Sequence, residues 1–126
     1  MKKTISILLI ISGFIIIGIM SCSKQSEDLL TNTSQCDTLS VKYSTDITII
    51  LQNNCYSCHG TGNTGGSGGI LLQGYSNLKK WADNSVLVGN VTHASGYVAM
   101  PYGLPKLSDC NVNKIVAWVH QGALNN

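Results

Sequence analysis

The 126-residue chain contains no arginine, one phenylalanine and two prolines, and charged residues make up only 11% of it. Its formal net charge of +2 is concentrated at the start, where Lys2 and Lys3 stand. Without those two, six lysines face six acids. An even balance with no arginine leaves no basic face for nucleic acid. It also leaves no strong field to steer a charged partner. No internal repeat is present, and no run alternates as paired strands do. No apolar stretch reaches the ~20 residues that a membrane span needs. The glycine-rich stretch Gly60–Gly69 lacks the Gly-Lys-Ser/Thr ending and the preceding apolar strand of a phosphate-binding loop.

The first segment is nevertheless apolar. Met1-Lys2-Lys3 precedes an almost unbroken run from Ile5 to Ile19, followed by Ile19-Met20-Ser21-Cys22. A basic start, a run too short to span and a small-residue cleavage site form an export signal. Ile19–Cys22 resembles a bacterial lipobox, which implies cleavage before Cys22 and lipidation of its thiol. The expected organisation is a lipoprotein signal peptide over 1–21, a polar tether over 22–43 and a folded domain over 44–126. The expected location is the cell envelope, lipid-anchored, at the outer membrane facing the periplasm. The alternative is a retained transmembrane helix, for which the run is short and Lys24, Glu27 and Asp28 follow too closely.

Within the domain, Cys55-Tyr56-Ser57-Cys58-His59 is the most informative segment. C-x-x-C-H is the attachment signature of c-type haem. Two thiols on one helical turn can each add to a vinyl group of a single porphyrin, and the adjacent imidazole then lies under the iron. The other cysteines follow by count: Cys22 to lipid, Cys55 and Cys58 to haem, and Cys36 with Cys110 left as an even pair. Outside the cytoplasm such a pair is read as a disulfide rather than two free thiols.

Local patterns predict short helices. Ser44-Thr45-Asp46 offers N-caps for a helix starting near Ile47 and stopping before Cys55, with Ile47, Ile50 and Leu51 on one stripe. Six glycines among residues 60–69 exclude a stable helix there. Ser76 is expected to cap a helix carrying Leu78, Trp81 and Ala82, and Ser85 another from Val86 to about His93. Met100-Pro101 and Leu104-Pro105 mark an extended loop. Ser108 caps a final helix with Val112, Ile115, Val116 and Val119 in register, stopped by Gly122.

On these residues the chain, from about Asp46 to Asn126, resembles small monohaem cytochromes c of the bacterial class I type. The anchors are Cys55–Gly60, Met100-Pro101 and a closing helix with Ala117-Trp118. The resemblance implies an all-α fold of three to five short helices around one covalent haem c. It implies His59 as proximal ligand and Met100, the only methionine after the leader, as distal ligand. His/Met ligation favours ferrous iron and raises the reduction potential. The implied function is single-electron transfer between redox proteins of the envelope by a monomer, not an enzyme. Many family members have a proline after the haem motif, near the carbonyl that fixes the proximal imidazole. Here a carbonyl of Gly69-Ile70-Leu71 is the expected substitute. Tyr97, Tyr102, Trp81 and Lys106 are candidate propionate partners. Trp81 and Trp118 are expected to pack against the porphyrin.

His93 is the rival sixth ligand, though its position near a helix end suits an ordinary polar residue. His120, near the end of the last helix, reads the same way. Other readings are a peroxidase-like or gas-binding haem protein with a labile Met100, a thiol–disulfide protein using Cys55 and Cys58, and structural zinc on those cysteines and two histidines. The absence of arginine weighs against peroxidase chemistry, and the βαβ context of a thiol–disulfide fold is missing.

Overall fold

The structure is a computed structural model that describes residues 36–126. The expected signal peptide, the lipidation site Cys22 and the first part of the expected tether lie outside the described residues. Residues 36–126 form one compact unit, all-helical among the described residues. A wide π-type turn, Tyr43–Ile47, runs into α1, Thr48–Asn54. Then come α2, Tyr56–His59; a single 3-10 turn, Thr64–Ser67; α3, Tyr75–Asp83; α4, Val86–Thr92; and α5, Asp109–His120. None of the described helices is long and apolar enough to cross a membrane.

The core is a continuous cluster formed where the first helical segment, α3, α4 and α5 meet. Ile47, Leu51, Leu78, Ile115 and Trp118 are completely buried. Each such aliphatic side chain contributes about 1.5–3 kcal/mol relative to exposure. The stripe on α5 differs from the expected one. Val112, Ile115 and Trp118 are buried, while Val116 and Val119 pack only at the margin. Trp118 wins because it offers the largest apolar surface and its indole N–H finds the Leu124 carbonyl at 2.9 Å. Tyr43 packs beside it, with ring centroids 5.9 Å apart.

The caps show which ends are set locally. Ser108 accepts from the Asn111 N–H at 3.3 Å, and Gly122, at φ 94°, turns the chain after α5. The other three expected caps are replaced. The first helical segment begins at Tyr43 rather than near Ile47. Its first N–H groups donate to Asn126, Tyr43 to the side-chain oxygen at 2.8 Å and Ser44 to the backbone carbonyl at 2.9 Å. Asp46 reaches back to the Lys42 N–H and also pairs with Lys114 of α5 at 2.6 Å. α3 begins after Gly74 with no side-chain cap, and α4 is opened by Asn84, whose side chain accepts from the Val86 N–H. Ser85 makes no cap.

Residues 36–43, read from sequence as the end of the tether, pack on this unit. A disulfide joins Cys36 to Cys110, with Cα atoms 5.4 Å apart. Val41 is buried, and the Gln121 amide donates to the Thr38 and Leu39 carbonyls.

Candidate haem site

The pentapeptide is built as one turn. α1 ends at Asn54, Cys55 breaks the helix with φ −125°, and α2 restarts at Tyr56. The Cys58 and His59 N–H groups both donate to the Cys55 carbonyl, at 3.1 and 2.8 Å. The two thiols and the imidazole are thereby carried on a single rigid segment. The His59 carbonyl accepts from the Leu72 N–H at 2.9 Å, which ties the far end of the glycine-rich loop to the motif.

His59 is the buried polar residue of the core region, 9% exposed. Its Nδ1 lies 3.0 Å from the Ile70 carbonyl oxygen. A carbonyl only accepts, so Nδ1 carries the proton, and in the neutral ring Nε2 keeps its lone pair. This is the arrangement a metal-ligating imidazole needs. The glycine-rich loop thus supplies the acceptor at Ile70. The Ser67 hydroxyl lies 3.0 Å from the same carbonyl and 2.9 Å from that of Thr64, steadying the loop at the point where it meets the ring.

Cys55, Cys58, His59 and Met100 all line one cavity of about 450 Å3. Its wall is mainly apolar, with Leu72, Trp81, Leu87, Val91 and Leu107, and includes no charged side chain. Size and lining suit a large apolar cofactor, and two thiols with an imidazole whose Nε2 lone pair is unengaged by the Ile70 bond suit a covalent porphyrin. Burial pushes the Cys55 thiol up to about 11, with Cys58 nearby adding to the effect. A thiol–disulfide catalyst needs the opposite, a lowered thiol pKa. Among the described residues no group of three or more His, Cys, Asp or Glu gathers as a metal cluster, which removes the donor set of the zinc reading.

The remaining candidates divide. Trp81 and Tyr102 line the cavity; Tyr97 and Lys106 do not. Tyr97 lies instead over Gly89 of α4, where a Cβ would come within 2.3 Å of its ring. Trp118 is in the core and is not part of the cavity wall, because its indole is engaged with the chain's last residues. His120 is exposed in the last turn of α5. His93 is exposed, outside the cavity wall, and bonded to the Met100 carbonyl.

Two contributors went unread in the sequence. Asn90 lines the cavity, and its carbonyl accepts from the Met100 N–H at 3.0 Å. Its place on one stripe with Leu87 and Val91 was the available signal, a polar residue on an apolar helix face. Ser67 gave none, since its partner is a backbone carbonyl brought near by the loop.

The family model for Cytochrome c matches residues 48–123. No curated protein and no solved structure matches the chain. The matched stretch takes in the haem-attachment motif, the Met100 loop and the whole of α5, so the chain belongs to the cytochrome c family and carries covalent haem c, for which Cys55 and Cys58 fit the attachment motif.

Proposed function

We propose that this cytochrome c is a monomeric, monohaem electron carrier of the cell envelope, attached through Cys55 and Cys58 and ligated by His59 and Met100. The observation that carries the reading is the pair His59 and Met100 on one mainly apolar cavity, with His59 Nδ1 already committed to the Ile70 carbonyl. When bound, the haem supplies a reversible ferric–ferrous couple. The chain's own residues orient the proximal imidazole, present a thioether, and exclude water with an apolar wall. As a ligand, the Met100 thioether would favour the ferrous state and would leave no open site for a substrate. The uncharged lining supports a carrier over a peroxidase-like enzyme, because no acid–base pair faces the cavity. Redox proteins of the envelope are the partners in this reading. Lipidation at Cys22 and an outer-membrane location facing the periplasm rest on the sequence of the leader alone.

The test is the visible and near-infrared spectrum of the exported protein. Covalent haem that resists acid–acetone extraction, a low-spin ferric form and a Met–Fe charge-transfer band are expected. Met100→Ala should abolish that band, shift ferric haem toward high spin and lower the potential. If Met100→Ala keeps low-spin character while His93→Ala loses it, the sixth ligand is His93.

A further inference from the structure

The segment around Met100 is largely exposed. Val98, Tyr102 and Leu104 are 54%, 80% and 66% exposed. The bonds from Tyr97 N–H to the Ala94 carbonyl and from Leu104 N–H to the Pro101 carbonyl are local and hold nothing to a helix. Two bonds attach Met100 itself to α4. Its N–H donates to the Asn90 carbonyl at 3.0 Å, and its carbonyl accepts from His93 Nε2–H at 2.9 Å. The proton assignment follows because a carbonyl oxygen cannot donate.

His93 is itself fixed by the end of α4. It holds the left-handed conformation, φ 59°, at the helix C-cap. Its N–H donates to Asn90 and the next N–H, of Ala94, to Gly89 at 2.9 Å. This turn points the imidazole at the loop that returns seven residues later. Glycine is the residue favoured at such a position, and a histidine there gives up backbone ease while making the Met100 bond.

We infer that His93 is a positioning residue for the sixth ligand: with Asn90 it clamps the Met100 backbone to the end of α4, so that the thioether is held in place by α4 as well as by the iron. The inference rests on Met100 being that ligand. A thioether is a soft donor and binds ferric iron weakly. Its occupancy in the ferric state therefore depends on how far the backbone is fixed beforehand, since a tethered ligand competes through its effective concentration.

The experiment measures displacement of the sixth ligand from the ferric holoprotein by cyanide, together with the Met–Fe band and the urea midpoint, in wild type, His93→Gly and His93→Gln. The glycine variant removes the imidazole while suiting the left-handed backbone, so its fold is retained or strengthened. Loss of one net hydrogen bond should raise apparent cyanide affinity about three- to tenfold without lowering the urea midpoint. Glutamine carries an amide N–H donor on a chain of similar reach and should restore most of the wild-type resistance. Unchanged cyanide affinity in His93→Gly, with the wild-type band present, overturns the inference and leaves Met100 ligation standing. Equal weakening in the glycine and glutamine variants also overturns it, since a donor N–H of similar reach would then fail to hold Met100. A wild type without the Met–Fe band removes Met100 ligation and this inference together.

Discussion

Replacing Cys36 by serine should cost this domain a large part of its stability and leave the haem spectrum intact. The bridge to Cys110 closes a loop across a sequence separation of 74. In the chain-entropy model a loop of that length removes enough freedom from the unfolded chain to stabilise the fold by about 4.4 kcal/mol at 25 °C. The observed loss should be smaller, about 2–4 kcal/mol, because measured bridges commonly fall short of that limit. With a urea m-value of ~1 kcal/mol/M for a domain of this size, the midpoint should fall by about 2–4 M. Such a change is a substantial fraction of the ~5–15 kcal/mol that holds an ordinary domain together. The segment should not detach in the native variant, since Val41 stays buried and Gln121 still donates to Thr38 and Leu39. Neither cysteine lines the haem cavity, so the Soret band should be unmoved. The assay is a pair of urea melts on oxidised wild type and Cys36→Ser, after mass mapping of the bridge under non-reducing conditions. An unchanged midpoint would refute the entropy argument. A shifted Soret band would refute the separation of bridge and haem site.

Three further outcomes are expected. Cys58→Ala should leave at most one thioether bond and sharply lower holoprotein yield; full yield with two intact thioethers, read by mass spectrometry of the haem peptide, contradicts the attachment. Gly89→Ala should be destabilising by about 1 kcal/mol, since its Cβ would meet the Tyr97 ring. The same substitution in a Tyr97→Ala background should reverse sign and stabilise by about 0.5–1 kcal/mol through helix propensity, and paired thermal melts show whether it does. Lys114→Met removes the partner of Asp46, whose carboxyl is held below its usual 3.8 mainly by the bond from Lys114 and further by the Lys42 N–H, against the opposing effect of burial. A lowered pKa contributes stability above 3.8 that is lost as pH falls through the folded-state value. The wild-type advantage, about 0.2–1 kcal/mol at neutral pH, should therefore fade in acid melts, and an advantage that persists below the titration would exclude this pair as its source.

Short-range chemistry made part of this molecule readable without its fold. Cys55, Cys58 and His59 fall within five consecutive residues, so the spacing that suits one porphyrin is written locally. The Ser108 cap and the Gly122 stop are likewise decided within a few positions of α5, because a helix end is satisfied by its nearest side chains and by one residue with free backbone torsions. Apolar spacing placed every α-helix of the core to within a few residues. It did not settle which face of α5 goes inward, since burial depends on what waits opposite, and Trp118 needed Leu124 and Tyr43 to make its place.

Where partners are distant in the chain, only the tertiary structure chose them. Asn126 caps the first helical segment although 83 positions separate its side chain from Tyr43, a solution that overrides Ser44 and Thr45, which the segment itself takes up. The Ile70 carbonyl, among three neighbours that sequence left open, accepts the hydrogen bond from His59 Nδ1–H because the glycine-rich loop closes on that residue. His93 and Met100, alternatives when read as separate candidates, become partners once α4 ends in a left-handed turn that aims one at the other. Local sequence encodes torsions and reactive groups; which of those groups face one another is set by closing the chain around a shared core, and that free energy belongs to no single segment.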